Sequence, residues 1–397
     1  MNILKNFLIS ILILILPLTA FSQNVKSSFG KGIGFTPADS SFSVKFSTRF
    51  QTLYLGVQNL DNDTYNDALL VRRARLKFEG FVYNPKVTYK IELGQSNRDT
   101  GGGNKAQFNN TSNMILDAVV KYRFSKGWTV WFGQTKLPGN RERVISSQKL
   151  QMVDRSLVNA RYNLDRDIGI QFHHKGKIGN GVLKEAFAIS MGEGRGIITQ
   201  NIGGYSYTAR IEYLPMGEFT NKGDYFGSDL EREPSGKLSI GATYDYNDGA
   251  GRSRGQLGDF MIDENGVQYT NDLQAILIDI MYKNNGFSLM SEYATKSAKD
   301  QIIVTTSDGS LRYSTGAGFM AMAGYLFRNN LELSGRFTNI ESDDLVYSGV
   351  TNENEYTLGL SKYIVDHALK IQTDLSYSER ELRSDRLIFR FQVEVSL

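Results

Sequence analysis

The stretch from Leu387 to Leu397 alternates without a break. Leu387, Phe389, Phe391, Val393, Val395 and Leu397 share one face, and Arg390, Gln392, Glu394 and Ser396 share the other. A period of two residues is the mark of a strand lying between two different environments. An ordinary strand of that kind runs about five or six residues, and this one runs roughly twice as far. The same pattern recurs at Phe42, Val44, Phe46, Phe50 and Tyr54 against Lys45, Ser47, Arg49 and Gln51, and again at Leu238, Ile240, Ala242, Tyr244 and Tyr246. Taken in chain order, the runs predict strands at 42–57, 68–82, 87–95, 113–124, 128–137, 166–175, 182–192, 204–214, 236–247, 271–283, 286–295, 314–326, 330–340, 353–363, 368–378 and 385–397. There are sixteen of them, and almost no helical periodicity competes.

The connections divide by parity. Those after even-numbered strands are mostly tight, as at Tyr83-Asn84-Pro85-Lys86, Ser125-Lys126-Gly127 and Asn284-Asn285; those after odd-numbered strands are longer and polar, as at 96–112 with Gly101-Gly102-Gly103, 138–165, 248–270 and 296–313. Only 215–235 breaks the rule, which makes it the place where a strand boundary is least fixed. Long strands, an even strand count and one rim of short turns predict an all-β fold, a transmembrane antiparallel β-barrel of about 16 strands. Its long loops would be extracellular and its short turns periplasmic. Aromatics near the ends of the apolar faces, among them Tyr122, Phe124, Trp128, Tyr213, Tyr282, Phe287, Tyr325 and Phe327, fit the girdles such barrels carry at the membrane interfaces.

Composition agrees once this alternation is taken into account. The mean hydropathy of −0.32 is that of a polar chain, as expected when half of every strand faces water. Lys5, the apolar run Phe7 to Leu18 and the small residues Ala20 and Ser22 read as a cleaved signal peptide over 1–22. Residues 23–41, with Ser27, Ser28, Gly30, Gly32 and Gly34, read as a flexible periplasmic lead-in, and 42–397 as the outer-membrane barrel. With no Cys and only three His, disulfides, thiol catalysis and Cys-based metal sites are excluded, and no metal or cofactor is expected. A net charge of +3 gives no footprint for nucleic acid.

That near-neutral total hides a division. Residues 23–175 hold 23 Lys+Arg against 12 Asp+Glu, whereas 176–397 hold 21 against 30. Arg73, Arg75 and Lys77 project to one face of their strand, joined on neighbouring strands by Lys45, Arg49, Lys90, Lys121 and Arg123. Charges facing lipid at mid-depth cost roughly 2–4 kcal/mol, so these must face the lumen. Arg72 falls on the apolar face and is expected near a rim, where it can snorkel. The third long connection, 138–165, adds Arg141, Arg143, Lys149, Arg155 and Arg161. It is expected to fold inward and narrow the channel. Bases around a wet constriction between low-dielectric walls favour anions. The bland alternative is that they pair with Glu79, Glu92, Asp117, Glu142 and Asp154 and merely balance the lumen.

Four stretches resemble the phosphate-selective porin O and P family of Gram-negative outer membranes. They are Val71-Arg72-Arg73-Ala74-Arg75-Leu76-Lys77-Phe78-Glu79-Gly80; Phe132-Gly133-Gln134-Thr135-Lys136-Leu137-Pro138 with Arg141-Glu142; Asp154-Arg155-Ser156-Leu157-Val158-Asn159; and Asp165-Arg166-Asp167-Ile168-Gly169-Ile170-Gln171. The second half is similar in layout, as in Glu355-Tyr356-Thr357-Leu358-Gly359-Leu360, so the resemblance covers most of the mature chain. The resemblance implies a homotrimeric channel in outer-membrane lipid and lipopolysaccharide, passing small anionic solutes. Carried over by position, it marks Arg73, Arg75, Lys136, Arg141, Arg155 and Arg166. The basic ladder behind a phosphate preference is not defined by spacing here, so it implies general anion uptake, with phosphate or polyphosphate among the candidates.

An enzyme is not expected. No G-x-S-x-G occurs, and His173, His174 and His367 fall at the short-turn rim, where they read as solvated. Acidic loop stretches at Asp61-Asn62-Asp63, Asp263-Glu264-Asn265-Gly266 and Asp343-Asp344 lack calcium-loop spacing. The alternative from another class is a surface barrel acting as an adhesin or receptor, with an incidental pore.

Overall fold

The computed structural model describes residues 26–96, 99, 113–197, 200–306, 309–343 and 351–397. The proposed signal peptide, the Gly101 to Gly103 stretch and Asp344 lie outside them. Among the described residues twenty strands are present in chain order. A short hairpin comes first, β1 (Lys26–Ser28) and β2 (Gly32–Phe35). The wall then runs through β3 (Val44–Asn59), β4 (Thr64–Val82), β5 (Asn84–Gly94), β6 (Ile115–Ser125), β7 (Trp128–Lys136), β8 (Arg166–Ile178), β9 (Gly181–Ser190), β10 (Ser206–Leu214), β11 (Lys237–Ala250), β12 (Asn271–Asn284) and β13 (Phe287–Ala298). A two-stranded loop excursion follows, β14 (Ile303–Thr306) with β15 (Gly309–Arg312). The wall is completed by β16 (Gly316–Leu326), β17 (Leu331–Ser342), β18 (Glu353–Val365), β19 (Leu369–Arg380) and β20 (Arg386–Ser396).

Every wall strand pairs antiparallel with its sequence neighbours, and β20 returns to pair with β3 from Arg386↔Asn59 to Ser396↔Arg49. The sheet is therefore a closed cylinder of sixteen strands, all sixteen overlapping the predicted ones and no end differing by more than four residues. Closure removes the free edge, the one way a sheet can satisfy its backbone in hydrocarbon. Side chains are inverted relative to a water-soluble fold. Phe132 and Leu358 are 69% and 65% exposed on the outside, while Gln392 and Glu394 are buried inside. Outward aromatics pair near the short-turn rim, with ring centroids 6.3 Å apart for Phe124 and Trp128 and 5.2 Å for Tyr325 and Phe327.

Two segments fold into the cylinder. The third long connection, 137–165, carries helices α1 (Arg141–Val144) and α2 (Leu157–Tyr162), the second capped by Ser156, whose Oγ accepts from the Asn159 amide. Its Ile145, Leu150, Met152, Val158, Tyr162 and Leu164 pack on an inward patch of Leu277, Met281, Met290, Met320, Met322 and Ile340. This apolar core inside the lumen was hidden from the alternation, because β12 and β16 are apolar on both faces. The second segment is 215–236. Its unusual length is real and not a misplaced boundary: it turns back into the barrel, where buried Lys283 donates to the carbonyls of Gly223, Phe226 and Ser228.

Other expectations need correction. Residues 26–35 are not a flexible lead-in. They continue the sheet below β3, with Ile33 opposite Phe46, and Gly32 (φ 73°) passes so near the Phe46 carbonyl that a Cβ would lie 2.3 Å from its oxygen. Arg72 does not snorkel: a bulge in the β3–β4 ladder between Gln51 and Thr52 resets the parity, and its Nη2 donates inward to Asp154 Oδ1 at 2.9 Å. The histidines are not simply solvated. His367 is only 5% exposed, packed by Phe226 and Tyr363, and His173 stacks on Trp131.

Candidate pore and its basic constriction

The inward-folded connection is anchored chiefly on one side of the barrel, with Arg49 of β3 and Arg72 and Arg73 of β4 reaching it from the other. Arg141 is fully buried and reaches Asp279 at 3.2 Å and Glu212 at 2.6 Å, with its Nη1 donating to the Asp224 carbonyl. Asn140 donates to Glu292, Gln151 to Glu332 and Ser288, and the Val153 amide to Asp374. These acceptors belong to β10–β20, the acid-rich part of the chain. The connection therefore covers the acidic wall and meets its carboxylates with its own donors. What remains open lies between the connection and the wall from β3 to β10, where the basic residues are.

Two cavities occupy that space. The narrower one, about 140 Å³, is lined by Arg49, Arg73, Arg75, Lys136, Arg143, Arg155, Arg166 and Arg195, with only Glu92, Asp99 and Asp165 as acids. The wider one, about 720 Å³, continues toward the short-turn rim past Lys90, Lys121 and Arg123. Lys136, Ser146 and Arg166 line both, so these three stand at the junction.

Pairing removes part of the positive charge but not its excess. Arg73 donates to Gln51 at 2.7 Å and to Asp154 at 3.1 Å; Arg75 pairs with Asp99, and Arg143 with Asp165. Arg166 donates twice to Asp117 at 3.2 Å, Lys90 bridges Glu92 and Asp117, and Lys77 meets Glu79 at 3.0 Å. Lys136 and Arg155 differ, because their hydrogen bonds go to main-chain carbonyls: Lys136 to Arg143, Val144 and Ile145, Arg155 to Glu142 and Ile145. Burial, then the neighbouring Arg143 and Arg73, pull the Arg155 guanidinium well below its ordinary pKa. Burial pushes Asp154 and Asp165 up, but Arg72 and Arg73 around the first, and Arg143 and Arg166 around the second, outweigh it and hold both carboxylates below their usual range. The constriction is thus a crowd of cations with too few counter-charges.

Ten of the eleven basic residues marked in the sequence lie along this wall or in the connection facing it. Arg141 is the exception, since it lies among carboxylates behind the connection; it and Lys77, on β4, are absent from both linings. Arg49 and Arg195 complete the constriction and were not among the eleven. Arg49 was visible on the polar face of its strand, but Arg195, in a loop of alternating glycines, gave no signal.

A closed barrel of sixteen strands, entered by its third connection and leaving a wet passage beside it, is the architecture of an outer-membrane porin. Solved porins share the fold. The chain resembles the loop L8 deletion mutant of OmpT from Vibrio cholerae (TM-score 0.57, 8% identity, covering 90% of this chain and all of that one). It also resembles the anion-selective porin from Comamonas acidovorans (0.54, 11%, 90% and 100%) and the trimer form of Vibrio cholerae OmpT (0.52, 11%, 90% and 100%). More particularly, residues 44–186 match the family model described as phosphate-selective porin O and P. That span holds all four stretches that carried the resemblance in the sequence. No curated protein matches the chain.

Proposed function

We propose that this outer-membrane channel is anion-selective and takes up small anions passively, phosphate or polyphosphate among them. The observation that carries the reading is the lining of the narrow cavity, eight basic side chains against three acidic ones. An anion entering it meets donors already held in place and loses little to rearrangement. Arginine suits oxyanions in particular, since its planar fork can bind them through two hydrogen bonds. In this reading the long loops face outward and the chain assembles as a homotrimer amid lipid and lipopolysaccharide, as the trimer form of the Vibrio cholerae porin would suggest.

The test is a reversal potential. Purified protein in a planar bilayer under a salt gradient should give a potential of anion-selective sign, and Arg73→Glu with Arg75→Glu should weaken it severalfold. Cation selectivity in the unmodified protein would sink the reading, and no stable conductance would favour a surface-binding role. Titrating phosphate against chloride current then distinguishes phosphate preference from general anion passage.

A further inference from the structure

The wider cavity has features that inorganic anions do not require. Its roughly 720 Å³ is about five times the constriction's volume and falls in the range of small-molecule sites, about 300–1,000 Å³. Nine Lys and Arg line it against three acids, together with apolar surface from Leu137, Pro138 and Val144 and the rings of Trp131 and Tyr225. Only two tryptophans occur in the chain. Trp128 is exposed outside, in the girdle, whereas Trp131 projects into this chamber.

Trp131 stands between two neighbours across the sheet. Lys121 is its direct partner on β6, with Nζ 3.4 Å from the ring centroid. On the β8 side His173 stacks on it at 4.0 Å with an interplanar angle of 26°. The indole N–H is directed to Thr129 on its own strand. Among the described residues no carboxylate pairs with Lys121. Its ammonium therefore has N–H groups free to donate beside an aromatic stack, a combination that recognises a charge and a ring together.

We propose that this chamber binds organic anions bearing a planar ring, an aromatic carboxylate being the simplest, before their release at the short-turn rim; the proposal rests on the anion-channel reading above. The carboxylate takes the Lys121 ammonium, and the ring meets the open edges of Trp131 and His173 in an edge-to-face arrangement. Such aromatic contacts correspond to about a two- to tenfold gain in binding.

Benzoate and cyclohexanecarboxylate test it, being alike in charge and nearly alike in size but different in planarity. With the full-length protein in a planar bilayer and the probe in both chambers, benzoate should block chloride current at about a two- to tenfold lower concentration. Trp131→Leu should abolish that difference and Trp131→Phe should retain it. Equal block of the unmodified channel, or a difference that survives Trp131→Leu, overturns the proposal. Should the Trp131 variants fail to insert, Trp128→Phe leaves Trp131 as the sole tryptophan. Its emission should then shift saturably with benzoate and not with cyclohexanecarboxylate, and no shift with benzoate overturns the proposal. The reversal potential of the same membranes keeps the two readings apart. Anion-selective sign with equal block removes the ring site alone, whereas cation-selective sign removes the channel reading and this one with it.

Discussion

Arg141 and Arg155 lie fourteen positions apart in one connection and have opposite situations. Arg141 is wrapped by Glu212, Asp224 and Asp279, whereas Arg155 bonds carbonyl oxygens and faces the passage. Removing one partner of a buried ion cluster costs roughly 3–5 kcal/mol, because the other charges are left uncompensated. Arg141→Ala should therefore lower the thermal midpoint markedly, measured by circular dichroism in detergent. Arg155→Ala should leave the midpoint nearly unchanged and reduce the anion-to-cation permeability ratio. Lys149 adds a dependence on pH. Burial, then repulsion from Lys77, brings its ammonium down to about 8. A cation with a depressed pKa is charged below that value and neutral above it, so selectivity should decline as pH rises from 7 to 9. Lysines near their ordinary pKa of about 10.4 remain charged over that interval; Lys149→Met should blunt the decline, and a decline of equal size in that variant would count against a role for Lys149. Arg72 shows why residue-scale reading from sequence has a limit. Alternation assigns a face by counting, and one bulged residue shifts the count, so an arginine read as lipid-facing in fact clamps Asp154 from inside.

At the scale of elements, the wall was legible and its filling was not. Strand positions follow from period-two alternation, which lipid on one side and water on the other impose on every span. The connection 138–165 was expected to turn inward on its length and position. Nothing in its sequence told which wall it would meet, since that depends on carboxylates of β10, β12, β13, β17 and β19 meeting its donors across the lumen. Segment 215–236 announced itself only as an anomaly of length. Both segments are bound so extensively that they should behave as fixed parts of the wall. A cross-link tests this, since the chain has no cysteine of its own. Gln151→Cys and Ser288→Cys, joined by a short reducible bis-methanethiosulfonate linker, tie the connection to β13, where the native side chains are 2.8 Å apart. Conductance should be the same linked or reduced; a clear rise on reduction would mean that the connection moves during conduction.

For the molecule as a whole, the division of charge along the chain becomes a division across the barrel. The acid-rich wall is covered by the inward-folded connection, and the basic wall is left to the water. The passage is consequently off-centre, and in the anion-channel reading proposed above its selectivity should be electrostatic more than steric. Screening should reveal this, because the Debye length falls from about 10 Å at 0.1 M salt to about 3 Å at 1 M. The anion-to-cation permeability ratio should be larger in a gradient centred on 0.1 M than in one centred on 1 M. A ratio independent of salt would point to sieving by size.

The seam between β3 and β20 has a bearing on how such a cylinder can form at all. Fifteen of its sixteen ladders join strands adjacent in sequence, but this one brings together residues such as Arg49 and Glu394, 345 positions apart. Bringing the ends of so long a stretch together costs about 5 kcal/mol in chain entropy beyond a constant, with no reward until the last ladder zips. Assembly should therefore be governed by one late and slow step. Substitutions that weaken the Leu55–Arg390 and Tyr54–Phe391 pairings should retard refolding more than equally disruptive ones between neighbouring hairpins.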